Sequence, residues 1–416
     1  MTQYILTAPL SLNADIKLPA SKSISNRALV IHALSKGKIL PENLSDCDDT
    51  QVVIEALRSH SNTVDIKAAG TAMRFMTAYY AATQGTHIIT GTERMRHRPI
   101  AILVNALRQL GADIEYIGKE GFPPLRIHGK HLAGGILEIP GNISSQYISA
   151  LLMIGPVLQK GITLKLTGKI ISHPYIDLTL YTMRKFKAEA EWTTDNIICV
   201  KPKSYQPVPY YIENDWSSSS YWYEMLALCK DQKALINLEG LFFQSKQGDS
   251  IIKDIFEPLG IKTTFAPSTT DTTTTVTLTK TPCLTKKYEY DFTKCPDLAQ
   301  TVVVTCCCLG IPFKFTGLAS LKIKETDRID ALKKELYKLG YVIYDKHDDT
   351  LLWDGERCKA LMQPIDTYED HRMAMAFAPA AFTNSSLSIN HPEVVSKSYP
   401  HYWEDLETVH FKIKKT

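Results

Sequence analysis

Cationic and hydroxyl side chains cluster where helices begin. In Ser21-Lys22-Ser23-Ile24-Ser25-Asn26-Arg27, a lysine, an arginine and three serines open an apolar helix directly after Pro19-Ala20. The first turn of a helix carries backbone N–H groups without intrahelical partners, so such a segment is suited to an anion. Serine capping with solvated cations is the plain alternative. Ala69-Gly70-Thr71-Ala72-Met73-Arg74 repeats the theme, with a glycine that permits close backbone approach. Gly91 to Pro99 places Arg94, Arg96 and Arg98 in five positions between a strand and a helix, which alone would also suit a solvated charge run. Ser144-Ser145-Gln146 heads the helix from Tyr147 to Met153 and offers two hydroxyls and an amide to phosphate or polyol oxygens. Capping accounts for one serine there, not for the whole set.

The second half carries its own clusters. Lys324-Glu325-Thr326-Asp327-Arg328 leads into a helix from Ile329, with Lys324 and Arg328 one turn apart and able to address one ligand. Glu325 sits between them as a counter-ion or as a proton carrier tuned by its neighbours. Glu369-Asp370-His371-Arg372 heads the helix Met373 to Phe377, and Lys397 lies in Val395-Ser396-Lys397-Ser398-Tyr399-Pro400. Lys22, Arg27, Arg74, Arg94, Lys324, Arg328, Arg372 and Lys397 together imply several phosphate or carboxylate groups bound between two domains. Metal spacing is missing: there is no HExxH, and His128 and His131 lie in a Gly-rich turn without acidic or thiol partners. No GxxxxGK[ST] loop occurs, which disfavours nucleotide hydrolysis.

The elements that must hold these residues follow from periodicity. A chain of 416 residues is long enough for two or three domains, and 44% hydrophobic with 22% charged residues is ordinary for a folded protein. The net charge of +3, from 47 basic and 44 acidic residues spread along the chain, does not support a duplex-binding surface. Strand-length apolar runs alternate with amphipathic stretches, as in Ile162–Leu166 followed by Tyr175–Phe186, an α/β pattern. Helices Ala28–Lys36, Ile100–Leu110 and Ile329–Leu339 each end on glycine. The segments 106–114 and 335–343 echo one another as helix, glycine and strand, which suggests two similar domains. Junctions are expected near Pro19 and in the polar, Pro-bearing stretch Lys201–Asn214. The threonine tract Thr269–Thr279 alternates with Val276 and Leu278 and predicts a solvent-facing strand rather than a linker. The longest apolar run, Ile148–Leu158, is too short to cross a bilayer, and the N-terminus lacks a signal-peptide pattern, so a cytoplasmic location is expected. Nine cysteines without CxxC spacing are expected to be reduced and mostly buried.

Taken together, SKSISNR, AGTAMR, ERMRHRP, SSQ, SHPYIDLTL, KETDR, DHRMAMAF and SKSYP resemble the 5-enolpyruvylshikimate-3-phosphate synthase family over nearly the whole chain. The resemblance implies two similar inverse α/β domains, built from repeated units of helices inside small sheets. One domain would hold residues 1–19 and 215–416, the other would be the insert 20–214, and the active site would lie in the cleft where they close. It implies transfer of the enolpyruvyl group of phosphoenolpyruvate to shikimate 3-phosphate, with no metal or organic cofactor, by an expected monomer. Lys22, Ser23 and Arg27 would bind shikimate 3-phosphate, as would Ser144, Ser145, Ser172, Tyr175 and Ser320. Lys22 and Gln146 would reach both substrates, and Gly70, Arg94, Arg328, Arg372 and Lys397 would surround phosphoenolpyruvate. Asp297 would accept the proton of the attacking hydroxyl, Lys324 would assist, Glu325 would work on the methylene carbon, and His371 would adjoin.

The stretch from Asp49 to Gly70 is short for that family, which implies one trimmed unit, and leaves Arg74 the least secure of the cations. Ala68 and Ser320 stand where many or some members have asparagine. The related transferase acting on UDP-N-acetylglucosamine usually has a cysteine in the loop matching Gly91–Pro99, and this chain has none there. A non-catalytic anion-binding protein of the same fold would be expected to lose Glu325 or Asp297, and both are present. The space beside Gly70 leads to the expectation that the phosphoenolpyruvate mimic glyphosate competes with that substrate.

Overall fold

The structure, a computed structural model, describes residues 2–59, 61–267 and 273–416. The chain folds as two compact units, Ala20–Ile212 and Met1–Pro19 joined with Glu213–Thr416, here termed the insert unit and the terminal unit. The second crossover falls two residues before the boundary expected at 214/215. Glu213 and Asn214 are tied to the terminal unit. The Asn214 N–H donates to Gly240 O at 3.0 Å and its Nδ2 to Glu239 O at 3.0 Å. The buried Glu213 carboxylate accepts from Trp216 Nε1 and the Phe242 N–H, both at 2.8 Å.

In the insert unit the helices are α1 (Lys22–Leu34), α2 (Asp48–Arg58), α3 (Gly70–Ala82), α4 (Glu93–Arg96), α5 (Ala101–Gln109), α6 (Ser145–Ile154) and α7 (His173–Lys185). α3 and α6 are apolar and buried around almost their whole circumference, so they must lie inside the unit rather than on it. Two four-stranded sheets flank them with one face in solvent, as the alternating burial of Gly135–Pro140 and Ile162–Thr167 records. Both sheets have one topology. Thr63–Asp65 and Gly85–Thr90 are parallel, and Leu125–Gly129 and Asp113–Tyr116 follow antiparallel. Gly135–Pro140, Ile162–Thr167, Ile197–Val200 and Ala190–Thr194 repeat that order.

The expected trimmed unit is visible beside them. Among the described residues, α1 and α2 have no sheet of their own, and only the isolated parallel bridge Glu42–Tyr211 stands in its place. Residues 59–62 are all that separate α2 from the strand Thr63–Asp65.

The terminal unit contains α8 (Trp216–Leu228), α9 (Ile252–Phe256), α10 (Ala299–Leu309), α11 (Arg328–Lys338), α12 (His371–Phe377) and α13 (Tyr402–Thr408). Its two four-stranded sheets repeat the parallel-then-antiparallel order, and a three-stranded antiparallel sheet joins Gln3–Thr7 to Leu387–Asn390 and Lys412–Lys415. The echoed segments occupy matching places in two of these repeats, although the strand expected at Tyr341 begins at Tyr344. Tyr341 makes only an isolated bridge to Arg357, whose guanidinium lies 3.9 Å from the tyrosine ring centre. Of the threonine tract, residues 269–272 lie outside the described residues. Thr273–Lys280 is an inner strand that buries Thr274, Val276 and Leu278 on one face. All nine cysteines are free, five of them buried. Among the described residues, no helix is long and apolar enough to cross a membrane.

One core residue carries a pH prediction. Glu224 on α8 is fully buried, and burial holds its carboxyl well above the usual carboxylate range, with Thr305 offsetting only a part. The native state therefore keeps a proton that the unfolded chain releases above about pH 4.3. That raised value lowers stability as pH climbs from there, so the sign favours acid. Glu224→Gln is expected to flatten this decline, so that Tm at pH 8 rises relative to the parent while Tm near pH 4.5 changes little. Parallel Tm curves for the two proteins between pH 4.5 and 8 would contradict it.

Candidate active site

Four helices of the insert unit bring their first turns to one place. Arg27, in the second turn of α1, donates from Nε to Thr179 Oγ1 at 2.7 Å and from Nη2 to Ser149 Oγ and Tyr175 O at 3.3 Å, and from Nη1 to Ser23 O at 2.8 Å. It therefore ties the first two turns of α1, α6 and α7 together at a common level. Burial, partly offset by Tyr175, pushes this guanidinium down to about 10. At the start of α6, Gln146 Nε2 donates to Thr71 Oγ1 at 3.1 Å, which brings in the start of α3. Each of these helices is ten or more residues long, and their partial positive ends add to make a region that favours anions.

The expected ligands of this unit lie on those first turns. Lys22 is the first residue of α1, 3.3 Å from the buried Asp49 of α2, and Ser23 follows it. Ser144 caps α6, accepting from the Gln146 N–H at 3.3 Å, and Ser145 is its buried first residue. Ser172 precedes α7 with φ of 53°, a left-handed conformation held by its surroundings, and Tyr175 lies in the first turn. Gly70 is the first residue of α3. Arg94 is exposed on the single turn α4.

Arg74 has a different role from the other motif cations. Its Nη1 donates to Gly70 O at 3.1 Å and its Nη2 to Pro99 O at 3.2 Å, and it lies over the Tyr147 ring. It fastens the arginine-rich loop to α3.

The terminal unit assembles a network of alternating charge. Arg328, buried at the start of α11, grips Asp370 through Nε at 2.7 Å and Nη2 at 3.2 Å, reaches Glu325 through Nη2 at 3.0 Å, and meets Asp297 through Nη1 at 3.1 Å. Burial alone would lower this guanidinium, but Asp370, Glu325 and Asp297 outweigh it and raise it. Asp297 receives two further cations, Lys324 at 3.2 Å and Arg372 at 3.1 Å. Burial would raise the Asp297 carboxyl, yet the charges of Arg372, Lys324 and Arg328 hold it well below the usual range. Arg372 also reaches the Tyr221 hydroxyl at 3.4 Å, and burial pushes that phenol up to about 12 against the pull of both arginines. Asp249 is raised to about 6, by burial and then by the charge of Asp297.

The remaining expected residues are less tightly joined to this group. His371 is buried beside Asp370, with Nδ1 3.8 Å from its carboxylate. Lys397 donates to Glu369 O at 2.9 Å, next to the capping Asp370 of α12. Ser320 lies in the one-turn segment Ala319–Ile323, half-buried.

Asp49, Thr71, Tyr221, Asp249 and Asp370 complete the two groups, yet the motifs gave them no role. Asp370 stood in the motif DHR beside a more conspicuous cation. Tyr221 lies in a helix whose residues are nearly all buried, with no periodic signal to separate it from core.

Comparison with known proteins places the chain. It matches the family model described as EPSP synthase (3-phosphoshikimate 1-carboxyvinyltransferase) over residues 6–60 and 58–406, with the break inside the shortened stretch. It is 58% identical over 413 residues to 3-phosphoshikimate 1-carboxyvinyltransferase of Bacteroides fragilis, covering 99% of both chains. It is 34% identical over 433 residues to that of Marinomonas sp., covering 97% of this chain and 99% of the other. In fold it is similar to a solved EPSP synthase of Acinetobacter baumannii, with a TM-score of 0.80 at 19% identity over the whole of both chains. It is also similar to the enolpyruvyl transferase NikO of Streptomyces tendae, with a TM-score of 0.73 at 14% identity, covering 100% of this chain and 99% of the other.

Proposed function

Because the chain belongs to the EPSP synthase family, we propose that it transfers the enolpyruvyl group of phosphoenolpyruvate to the 5-hydroxyl of shikimate 3-phosphate, releasing phosphate. The chemistry needs a proton delivered to the methylene carbon, attack by a hydroxyl on the cationic centre so formed, and loss of phosphate with removal of a methyl proton. One acid and one base must exchange roles. Two anionic substrates repel each other, so fixed cations are required to hold both and to stabilise the departing phosphate.

The insert unit supplies the converged helix starts with Lys22, Ser23, Arg27, Ser144, Ser145, Gln146, Ser172 and Tyr175 for the sugar phosphate. The cations for phosphoenolpyruvate divide between the units, Lys22 and Arg94 in one and Arg328, Arg372 and Lys397 in the other.

The observation that carries this reading is the set of three cations on Asp297. In that setting the carboxylate is too weak a base to take a hydroxyl proton. An incoming phosphate and carboxylate compete for Lys324, Arg328 and Arg372. As those charges turn to the substrate, the Asp297 pKa rises and it becomes the proton acceptor. The base is thus activated by the substrates it serves. Glu325, on the same arginine, exchanges the proton with the methylene carbon, and Lys324 steadies the developing charge.

Phosphate release from phosphoenolpyruvate, followed with and without shikimate 3-phosphate, tests the assignment. Release is expected only with both present, and Glu325→Gln is expected to lower it by about two orders of magnitude or more. Release that ignores shikimate 3-phosphate, or that requires UDP-N-acetylglucosamine in its place, would remove the assignment.

A further inference from the structure

We propose that Tyr402 is a positioning residue for the donor substrate: it sets Arg372 from two sides and ties that arginine to the loop that carries Lys397. The inference rests on the reaction proposed above, and it concerns a residue that touches neither substrate in that scheme.

Tyr402 is the first residue of α13 and is fully buried, so its hydroxyl must find a partner inside the protein. It donates to Met375 O on α12 at 2.9 Å. The usual donor to that carbonyl stands four residues on, at position 379, which is proline and has no N–H. Tyr402 supplies the missing bond and so fixes the end of the helix whose second residue is Arg372. Burial holds the phenol well above its usual range, which keeps the donated proton in place.

The ring acts on the other side of the same arginine. It packs edge-on against Tyr221, with ring centres 5.8 Å apart, and the Tyr221 hydroxyl accepts from Arg372 Nη1 at 3.4 Å. A second edge contact, at 5.4 Å, joins it to Tyr399, two residues after Lys397. Tyr399 is held at both ends. Its N–H donates to Val395 O at 2.8 Å, and its hydroxyl donates to Asp405 Oδ2 of α13 at 2.6 Å and accepts from Trp222 Nε1 of α8 at 3.3 Å. Edge-to-face rings have a preferred geometry, so a shift of one is resisted by the others. Arg372 and Lys397 are thus referred to one buried side chain, a common support for two cations that serve one small anion.

The test is steady-state kinetics on the full chain, varied in phosphoenolpyruvate at saturating shikimate 3-phosphate, for the parent, Tyr402→Phe, Tyr402→Leu, Arg372→Lys and the Tyr402→Phe/Arg372→Lys pair. Phe256→Leu, which removes a buried ring packed on Tyr223 in the same unit, is the control for lost packing. Tyr402→Phe is expected to raise KM for phosphoenolpyruvate about fivefold and Tyr402→Leu about twentyfold, with the calorimetric Kd for shikimate 3-phosphate within about twofold of the parent. Phe256→Leu is expected to lower Tm at least as far as Tyr402→Phe while leaving KM within about twofold. Lysine is a flexible point charge that tolerates a displaced helix, so Tyr402→Phe is expected to change KM by less than about twofold in the Arg372→Lys background. An unchanged KM in Tyr402→Phe overturns the proposal, as does an equal rise in Phe256→Leu or a Tyr402→Phe effect that persists undiminished beside Arg372→Lys. A parent that releases phosphate regardless of shikimate 3-phosphate overturns the reaction assignment instead, and is read from the parent alone.

Discussion

Asp297→Asn is expected to lower kcat by about three orders of magnitude while leaving KM for both substrates within a few-fold. Asparagine keeps the size and one acceptor oxygen that can meet Lys324 and Arg328, gives up the second oxygen that meets Arg372, and cannot take the hydroxyl proton at any pH. The loss should therefore fall on the chemical step and not on binding. A stability measurement separates this from unfolding. Asp297 is depressed in the folded state, so it contributes stability that is present above its unfolded pKa and lost as pH falls through the folded value. The asparagine variant is expected to be less stable than the parent at pH 7, with the gap closing on acidification. A kcat within tenfold of the parent would show that another group takes the proton.

Arg328→Met carries the largest expected cost in stability, about 3–5 kcal/mol at pH 7. The guanidinium is the common partner of Asp370, Asp297 and Glu325, and Asp370 is fully buried with its bidentate contact to Arg328. Methionine fills much of the volume and leaves the Asp370 charge without its cation, which is the costly half of a buried pair. Relief should come with protonation, so the deficit is expected to shrink as pH falls. Arg328→Lys restores charge without the fork and is expected to recover only part of the loss. Urea midpoints for the three proteins decide the matter. A methionine variant as stable as the parent would mean that the network adds nothing to the fold and serves the ligand alone.

Much of the architecture is legible in the sequence, because the repeat is written in local signals. The segments 106–114 and 335–343 are similar because they fill equivalent positions in two copies of one parallel-then-antiparallel sheet unit. The clusters of cations at helix starts are equally legible, since a cation beside a helix start is a short-range pattern. What stayed hidden was long-range. Nothing near Arg27 in sequence shows that its donors are spent on residues 122 to 152 positions away, so its part as a brace could not be read. Nothing near Asp370 or Asp49 in sequence shows that folding sets them against Arg328 and Lys22. The 214/215 boundary missed by two residues because Glu213 and Asn214 are polar and resemble linker, whereas their partners Gly240, Glu239 and Phe242 lie on a distant strand.

Among the described residues α1 and α2 carry no sheet of their own, and this bears on what holds the helix starts together. The first turns of α1, α3, α6 and α7, where the proposed sugar-phosphate ligands lie, are braced to one another by Arg27 and Gln146, and none of those ties passes through an outer strand. The braced helix starts are therefore held without that peripheral layer, and a shortened outer unit leaves their mutual geometry to Arg27 and Gln146.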